Sequence, residues 1–193
     1  VVVLDDAGLD KVGIYGVAAD APPTPTIDAL AARGVLFRRA YANPWCSPSR
    51  ACLLTGRYGF RTGIGNPVNQ QAPDFALQDS EITLPEALDL AAPGRIDNAA
   101  IGKWHLTSLV GGDRTHPNRQ GFHWFEGTPG NFARDTYERH RKLTNGLLTT
   151  STHYATSEQV DDTLERLECM REPWLVYLAF NAIHEPFHAP PRH

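Results

Sequence analysis

What is scarce in this sequence closes off several classes of function. No apolar stretch approaches the roughly 20 residues that a membrane-spanning helix needs, so no membrane span is expected. No run of Lys or Arg occurs, and 18 basic against 22 acidic side chains leave a net charge of -4. That balance argues against an electrostatic platform for nucleic acid. Cysteine is sparse too: Cys46, Cys52 and Cys169 are too few and too scattered for a disulfide framework. Their odd number leaves at least one thiol free or modified within the chain. No initiator Met, charged n-region or cleavage site precedes Val1-Val2-Val3-Leu4, so any export signal is expected to be either removed or never present. Internal repeats, low-complexity tracts and linkers are missing as well.

What remains is the composition of an ordinary globular protein, with 193 residues, 41% hydrophobic and 21% charged. That length allows one well-filled core. The pattern along the chain predicts alternating strands and helices. Val1 to Leu4 reads as a strand buried on both faces, as in a parallel sheet. Ile27 to Arg33 reads as a short helix with Pro25 near its start and Gly34 past its end. Val35 to Tyr41 is an expected strand, and a second helix is expected from Ser47 through Leu54, closed by Gly56. A third runs from Thr83 to Ala91. Asn98 to Ile101 is a short strand leading into Gly102-Lys103-Trp104-His105. Thr107 to Thr150 is expected to form long loops with one aromatic strand around Phe122 to Phe125. Val160, Leu164 and Leu167 repeat at helical spacing on a helix from about Thr156 to Arg171. Trp174 to Phe180 is the clearest strand. The whole predicts an α/β fold with a mainly parallel sheet flanked by helices.

In such folds ligands gather beyond the carboxyl ends of strands. Four polar clusters fall at such places: Asp5-Asp6, Cys46 to Arg50, Lys103 with His105, and His184. Adjacent carboxylates such as Asp5 and Asp6 suit a hard cation, Ca²⁺ or Mg²⁺, although the pair taken alone favours a turn with solvated carboxylates. Ser47 can cap a helix that has Pro48 at its first position, which places Cys46 just ahead of a helix N-terminus. Such ends favour anions, a thiolate among them. Arg50, a turn further on, can reach the same spot. Cys52 is expected to face the core. Taken singly, Lys103 also fits a surface lysine and His105 a satisfied loop histidine, while Trp104 reads as packing.

Cys46-Ser47-Pro48-Ser49-Arg50-Ala51-Cys52-Leu53-Leu54-Thr55-Gly56-Arg57 resembles the signature of the type I sulfatases, formylglycine-dependent members of the alkaline phosphatase superfamily. The resemblance extends to Leu4-Asp5-Asp6-Ala7-Gly8, to Gly102-Lys103-Trp104-His105-Leu106 and to Asn181-Ala182-Ile183-His184-Glu185-Pro186, in family order. It implies that residues 1–193 are the N-terminal part of an alkaline-phosphatase-like catalytic domain, truncated at the C-terminus. It implies a sulfate ester substrate, and a maturation enzyme that oxidises Cys46 to formylglycine. Asp5, Asp6 and oxidised Cys46 would be ligands of Ca²⁺, or alternatively Mg²⁺. A thiolate is a soft ligand, poorly matched to such a cation, whereas a hydrated aldehyde offers hard oxygens. Arg50 would steady the hydrate, Lys103 contact sulfate oxygens, His105 accept a proton from residue 46, and His184 bind sulfate or protonate the leaving alcohol. The family's remaining ligands, an Asp, an Asn and another Lys, would follow the His184 motif. An exported location (periplasmic, secreted or lysosomal) is also implied. Thr107 and Ile183 depart from the family pattern, which has Gly and often Pro at those places.

Two rivals stay open at this point: a phosphonate monoester or phosphodiester hydrolase of the same superfamily, and a non-catalytic truncated sulfatase-like chain. A third is rejected. His184-Glu185-Pro186-Phe187-His188 matches the zinc-protease pattern His-Glu-x-x-His, which needs both histidines on one helical face. Pro186 within it costs a helix about 3 kcal/mol, so an extended loop is expected.

Overall fold

The computed structural model describes residues 1–70, 75–110, 113–132, 136–187 and 189–191. Its strands are β1 (Val2–Val3), β2 (Asp97–Gly102), β3 (Trp124–Gly127), β4 (His140–Thr144), β5 (Leu147–Ser151) and β6 (Trp174–Ala179). They form one sheet in the order β1-β6-β2-β3-β4-β5. The pairings β1–β6, β6–β2 and β2–β3 are parallel, and β3–β4 and β4–β5 are antiparallel. The parallel part agrees with the sequence pattern; the antiparallel part adds a hairpin where only loops were expected. Asn145 and Gly146 turn that hairpin, both at positive φ (44° and 91°). This is the backbone a two-residue turn needs to match strand twist, and Asn-Gly supplies it at least cost.

The helices are α1 (Pro25–Arg33), α2 (Cys46–Thr55), α3 (Gly59–Thr62), α4 (Leu84–Ala91), α5 (His116–Arg119) and α6 (Ala155–Cys169). Thr83 and Glu86 form a capping box at the start of α4, each side chain satisfying a backbone N–H of the other's residue. The core joins Ala51 and Leu54 of α2 to Ala100 of β2, Phe125 of β3, Leu143 of β4 and Tyr177 of β6. Trp104 packs edge-on against Phe122 and Phe125 in the same cluster. α6 packs on β2 as well. β2 is buried from Asn98 to Gly102, as a strand covered on both faces must be.

Three expectations are corrected. Val1 to Leu4 is not buried on both faces: β1 pairs with β6 alone, at the sheet edge, and Val2 is 66% exposed. Val35 to Tyr41 is no strand, because among the described residues no strand lies alongside to take its backbone groups; Val35, Phe37 and Tyr41 are exposed. On α6 the inward positions are Ala155, Gln159 and Thr163, while Val160 and Leu164 turn outward. Among the described residues no helix is long and apolar enough to cross a membrane.

Candidate active site

β1, β6 and β2 are parallel neighbours, so the segments leaving their carboxyl ends meet at one edge of the sheet. Asp5 leaves β1, Lys103 leaves β2, and Asn181 and His184 leave β6. Backbone bonds lock them side by side. The Asp5 N–H donates to the Ala182 carbonyl at 3.0 Å, the Ile183 N–H to Asp5 at 2.8 Å, and the Lys103 N–H to Ala179 at 2.7 Å. Gly102 makes the exit from β2 possible. Its φ is +92°, and a Cβ there would run into the Ala179 carbonyl oxygen. Asp6 and His105, both at φ 56°, also sit in the left-handed region. Such strain in non-glycine residues is held only where surrounding contacts over-determine it.

Cys46 is brought to this edge by α2. The Sγ of Cys46 lies 3.1 Å from Nδ1 of His105, and Nε2 of the same ring lies 3.1 Å from the Val68 carbonyl oxygen. A carbonyl only accepts, so Nε2 carries the proton and Nδ1 faces Cys46 as a base. Burial, with help from the Lys103 and Arg50 charges, lowers the His105 pKa to about 3. The ring is therefore neutral across the physiological range.

Asp5 is buried and faces two cations. Lys103 Nζ contacts its Oδ2, and Arg50 Nη2 stands 3.5 Å from its Oδ1. Arg50 Nη1 donates to the Lys103 carbonyl at 2.7 Å and to the Tyr177 hydroxyl at 3.3 Å. Among the described residues its Nε and Nη2 have no hydrogen-bond partner. Burial pulls the Lys103 pKa below the usual lysine value, opposed by the Asp5 charge. Two buried cations thus face one buried carboxylate, an arrangement that favours an added anion. At the rim, exposed Asp6 holds Oδ2 at 3.7 Å from His184 Nε2. His184 Nδ1 lies 2.9 Å from the Glu185 carbonyl oxygen, so Nδ1 carries a proton there.

A cavity of about 450 Å³ is lined by Asp5, Asp6, Cys46, Ser49, Arg50 and Cys52, among others. A second cavity of about 650 Å³ is lined by His105 together with Val68, Leu109, Arg114, Asn131 and Arg141. As a cation site, the first cavity offers two hard carboxylates beside the soft Cys46 thiol. Among the described residues no group of three or more His, Cys, Asp or Glu is arranged to hold a metal ion. The donors present therefore fit part of a Ca²⁺ or Mg²⁺ shell.

Each predicted site residue thus borders this one edge, but two local readings change. Ser47 does not cap α2: Trp45 is the N-cap and Cys46 is already in the first turn. The Ser47 hydroxyl instead accepts the Val68 N–H at 3.0 Å, which holds the carbonyl that sets the His105 tautomer. Cys52 does not face the core. It is half-buried and lines the cavity with Cys46, taking a bond from Asn43 Nδ2 at 3.2 Å. The stretch after β6 is turns and bends rather than helix, so His184 and Glu185 are not on a helical face; His188 lies outside the described residues. Sequence reasoning missed Tyr177, Tyr137 and the side chain of Asn181. Tyr177 sits inside an apolar strand and reads as core, and Asn181 stood in a quoted block without a role.

A protein-family model described as Sulfatase matches residues 1–193. N-acetylgalactosamine-6-sulfatase of Sus scrofa is 32% identical over 216 residues, which cover 97% of this chain and 40% of that protein. Arylsulfatase A of Homo sapiens is 41% identical over 127 residues, 65% of this chain and 24% of that protein. The solved structure of Ps i-CgsB in complex with k-i-k-neocarrahexaose has a TM-score of 0.80 and 28% identity, over 98% of this chain and 46% of that one. Another protein, solved with its substrate D-Glucosamine-2-N, 6-O-disulfate, has a TM-score of 0.76 and 26% identity, over 95% of this chain and 34% of that one. The fold is that of the alkaline-phosphatase-like sulfatases. This chain spans 40% or less of the length of these curated relatives.

Proposed function

Because this chain belongs to the sulfatase family, we propose that it supplies the nucleophile, the cations and two histidines of a sulfuric-ester hydrolase. The observation that carries this reading is Cys46 Sγ at 3.1 Å from His105 Nδ1, in a cavity shared with Asp5, Asp6 and Arg50. The Sγ atom stands where the side-chain oxygens of formylglycine would be after a maturation enzyme has oxidised Cys46. Once hydrated, that residue would supply one oxygen to a divalent cation and one to attack sulfur.

This chain's own residues supply the rest. Asp5 and Asp6 would hold part of a Ca²⁺ shell, or alternatively of an Mg²⁺ shell, together with residue 46. His105, neutral with Nδ1 as acceptor, takes the proton of the side-chain hydroxyl at residue 46. Lys103 sets its positive charge against sulfate oxygens as their charge grows, and Arg50 orients it through the Lys103 carbonyl. His184 gives a proton to the departing alcohol. The cavity beyond His105 leaves room for the alcohol portion. The relatives' names support a sulfated sugar as the substrate class, and an exported location is part of the same proposal.

The test has two arms, both on full-length protein from its native host. Peptide mass spectrometry is expected to find formylglycine at residue 46 and unmodified thiols at Cys52 and Cys169. Turnover of a sulfate monoester is expected to exceed that of a phosphate diester. An unmodified Cys46 removes the nucleophile, and a preference for the diester replaces the sulfatase reading with a phosphodiesterase one.

A further inference from the structure

Asn181 is 2% exposed and is bound on every side. Its Oδ1 accepts from Gln159 Nε2 at 2.7 Å and from the Thr128 hydroxyl at 2.9 Å. Its Nδ2 donates to the Gly130 carbonyl at 3.1 Å. Its backbone carbonyl accepts from the His184 N–H at 3.0 Å and from the Tyr137 hydroxyl at 2.8 Å. The same hydroxyl lies 2.7 Å from the His184 carbonyl. A phenol has one proton, so the two carbonyls share it, and the 181–184 turn is pinned at both ends by one oxygen.

The other side of this hub reaches His105. The loop leaving β3 carries Thr128 and Gly130, both bound to Asn181. Between them Pro129 gives its carbonyl to the His105 N–H at 2.9 Å. Both histidines of the site are therefore set by loops that meet on a single amide. Buried networks of this kind are rigid when every member is satisfied.

We propose that Tyr137 and Asn181 are positioning residues for His184, holding its imidazole where the leaving oxygen of the substrate must be protonated. This rests on the hydrolase reading above. Neither residue touches substrate; each acts through the backbone of the 181–184 turn. The consequence is specific. An ester with a poor leaving group, such as an alkyl sulfate on a sugar hydroxyl, needs the proton as the S–O bond breaks. A nitrophenyl sulfate, whose phenolate departs unaided, does not. General-acid catalysis contributes roughly 10²- to 10⁴-fold where it is needed.

Tyr137→Phe keeps the ring, which packs at 4.7 Å from Phe132 and 5.9 Å from Tyr154, and removes the hydroxyl that bridges the two carbonyls. In full-length protein matured at residue 46, this variant is expected to lose about tenfold or more in kcat on the alkyl sulfate, with KM little changed. On the nitrophenyl ester it is expected to stay within about twofold of wild type, since loss of the acid is not felt there. Asn181→Asp keeps Oδ1 and loses the bond to Gly130, so it also disturbs the His105 loop and is expected to lower both rates. A merely structural role for Tyr137 would lower the active fraction and both rates by one factor. Equal losses on the two esters in Tyr137→Phe, or no loss on either, overturn the proposal alone. Failure of the wild type to turn over any sulfate ester overturns the hydrolase reading, and this proposal with it.

Discussion

Arg50 is held by three kinds of partner at once: the Lys103 carbonyl, the Tyr177 hydroxyl and the Asp5 carboxylate. Only a planar fork of donors can face all three. Arg50→Lys should therefore lose bonds in a place where water cannot replace them. It is expected to cost about 2–4 kcal/mol in chemical denaturation, since hydrogen bonds involving a charged group are worth roughly 1.5–3 kcal/mol each. Lys103→Ala tests a different function, charge against the sulfate. It is expected to lower kcat of the matured full-length protein by roughly 10²-fold or more, and near-normal turnover would show the assigned role to be wrong. His116 supplies a pH test remote from the site. Its Nδ1 accepts the Trp104 indole N–H at 3.0 Å, and its Nε2–H faces the Leu77 carbonyl at 2.8 Å. Protonating Nδ1 would set two donors against each other, and burial holds the His116 pKa below its ordinary 6.5. The sign follows from linkage. Above 6.5 neither state is protonated and nothing is lost; below it the unfolded chain binds a proton that the folded one resists. The melting temperature should fall as pH drops below 6.5, and His116→Gln should flatten that fall. An unchanged slope would place its origin elsewhere.

At the scale of elements, legibility follows from whether a signal is local. The capping box at Thr83 and Glu86, the Pro25 and Gly34 that bracket α1, and the apolar run of β6 are all readable, because the forces acting there involve neighbours in sequence. Most of the site edge is readable for the same reason, since Asp5-Asp6, Lys103 with His105, and His184 each follow a strand, whereas the Cys46 cluster opens α2 with no strand before it. Val35 to Tyr41 failed because β-propensity says nothing about whether a partner strand lies alongside. Val1 to Leu4 failed on burial for a related reason: an apolar run cannot report that it is an edge. The β4–β5 hairpin is different, since its Asn145-Gly146 turn is a strong local signal set inside a stretch whose composition reads as loop. That turn should be sensitive. Gly146 has φ +91°, and a Cβ would come 3.0 Å from Thr115 Cγ2. Gly146→Ala is expected to destabilise by about 1–2 kcal/mol, the cost of an L-residue in the left-handed region. A denaturation midpoint equal to wild type would show that the turn relaxes at no cost. Tyr137, Asn181 and Tyr177 were illegible because their roles depend on contacts between residues 22 to 127 apart in sequence.

On the scale of the whole molecule, charge and apolar surface gather on one side. Asp5, Asp6 and the Cys46 cavity border β1, the edge strand, and the same region exposes Val2, Leu4, Trp45 and Leu53. An apolar edge with free backbone groups invites association, so the 193-residue chain expressed alone is expected to self-associate in solution, as light scattering would show. Cation binding by that chain can be predicted from its donors. Ca²⁺ takes about six to eight oxygens, and built extracellular sites bind at about 10⁻⁴–10⁻³ M. Here Asp5 and Asp6 offer two carboxylates, residue 46 would add an oxygen only as formylglycine, and Asp5 is already engaged by Lys103 and Arg50. An ion would have to share Asp5 with two buried cations and fill the rest of its shell with water. Calorimetric titration of the isolated chain is therefore expected to give a Ca²⁺ affinity weaker than about 10⁻³ M. A loosely held ion neither activates an attacking oxygen nor offsets sulfate charge, so the same chain bearing formylglycine should not turn over an aryl sulfate, even with excess Ca²⁺. Submillimolar binding together with turnover would mean that the remaining ligands come from this chain, or from a second copy of it.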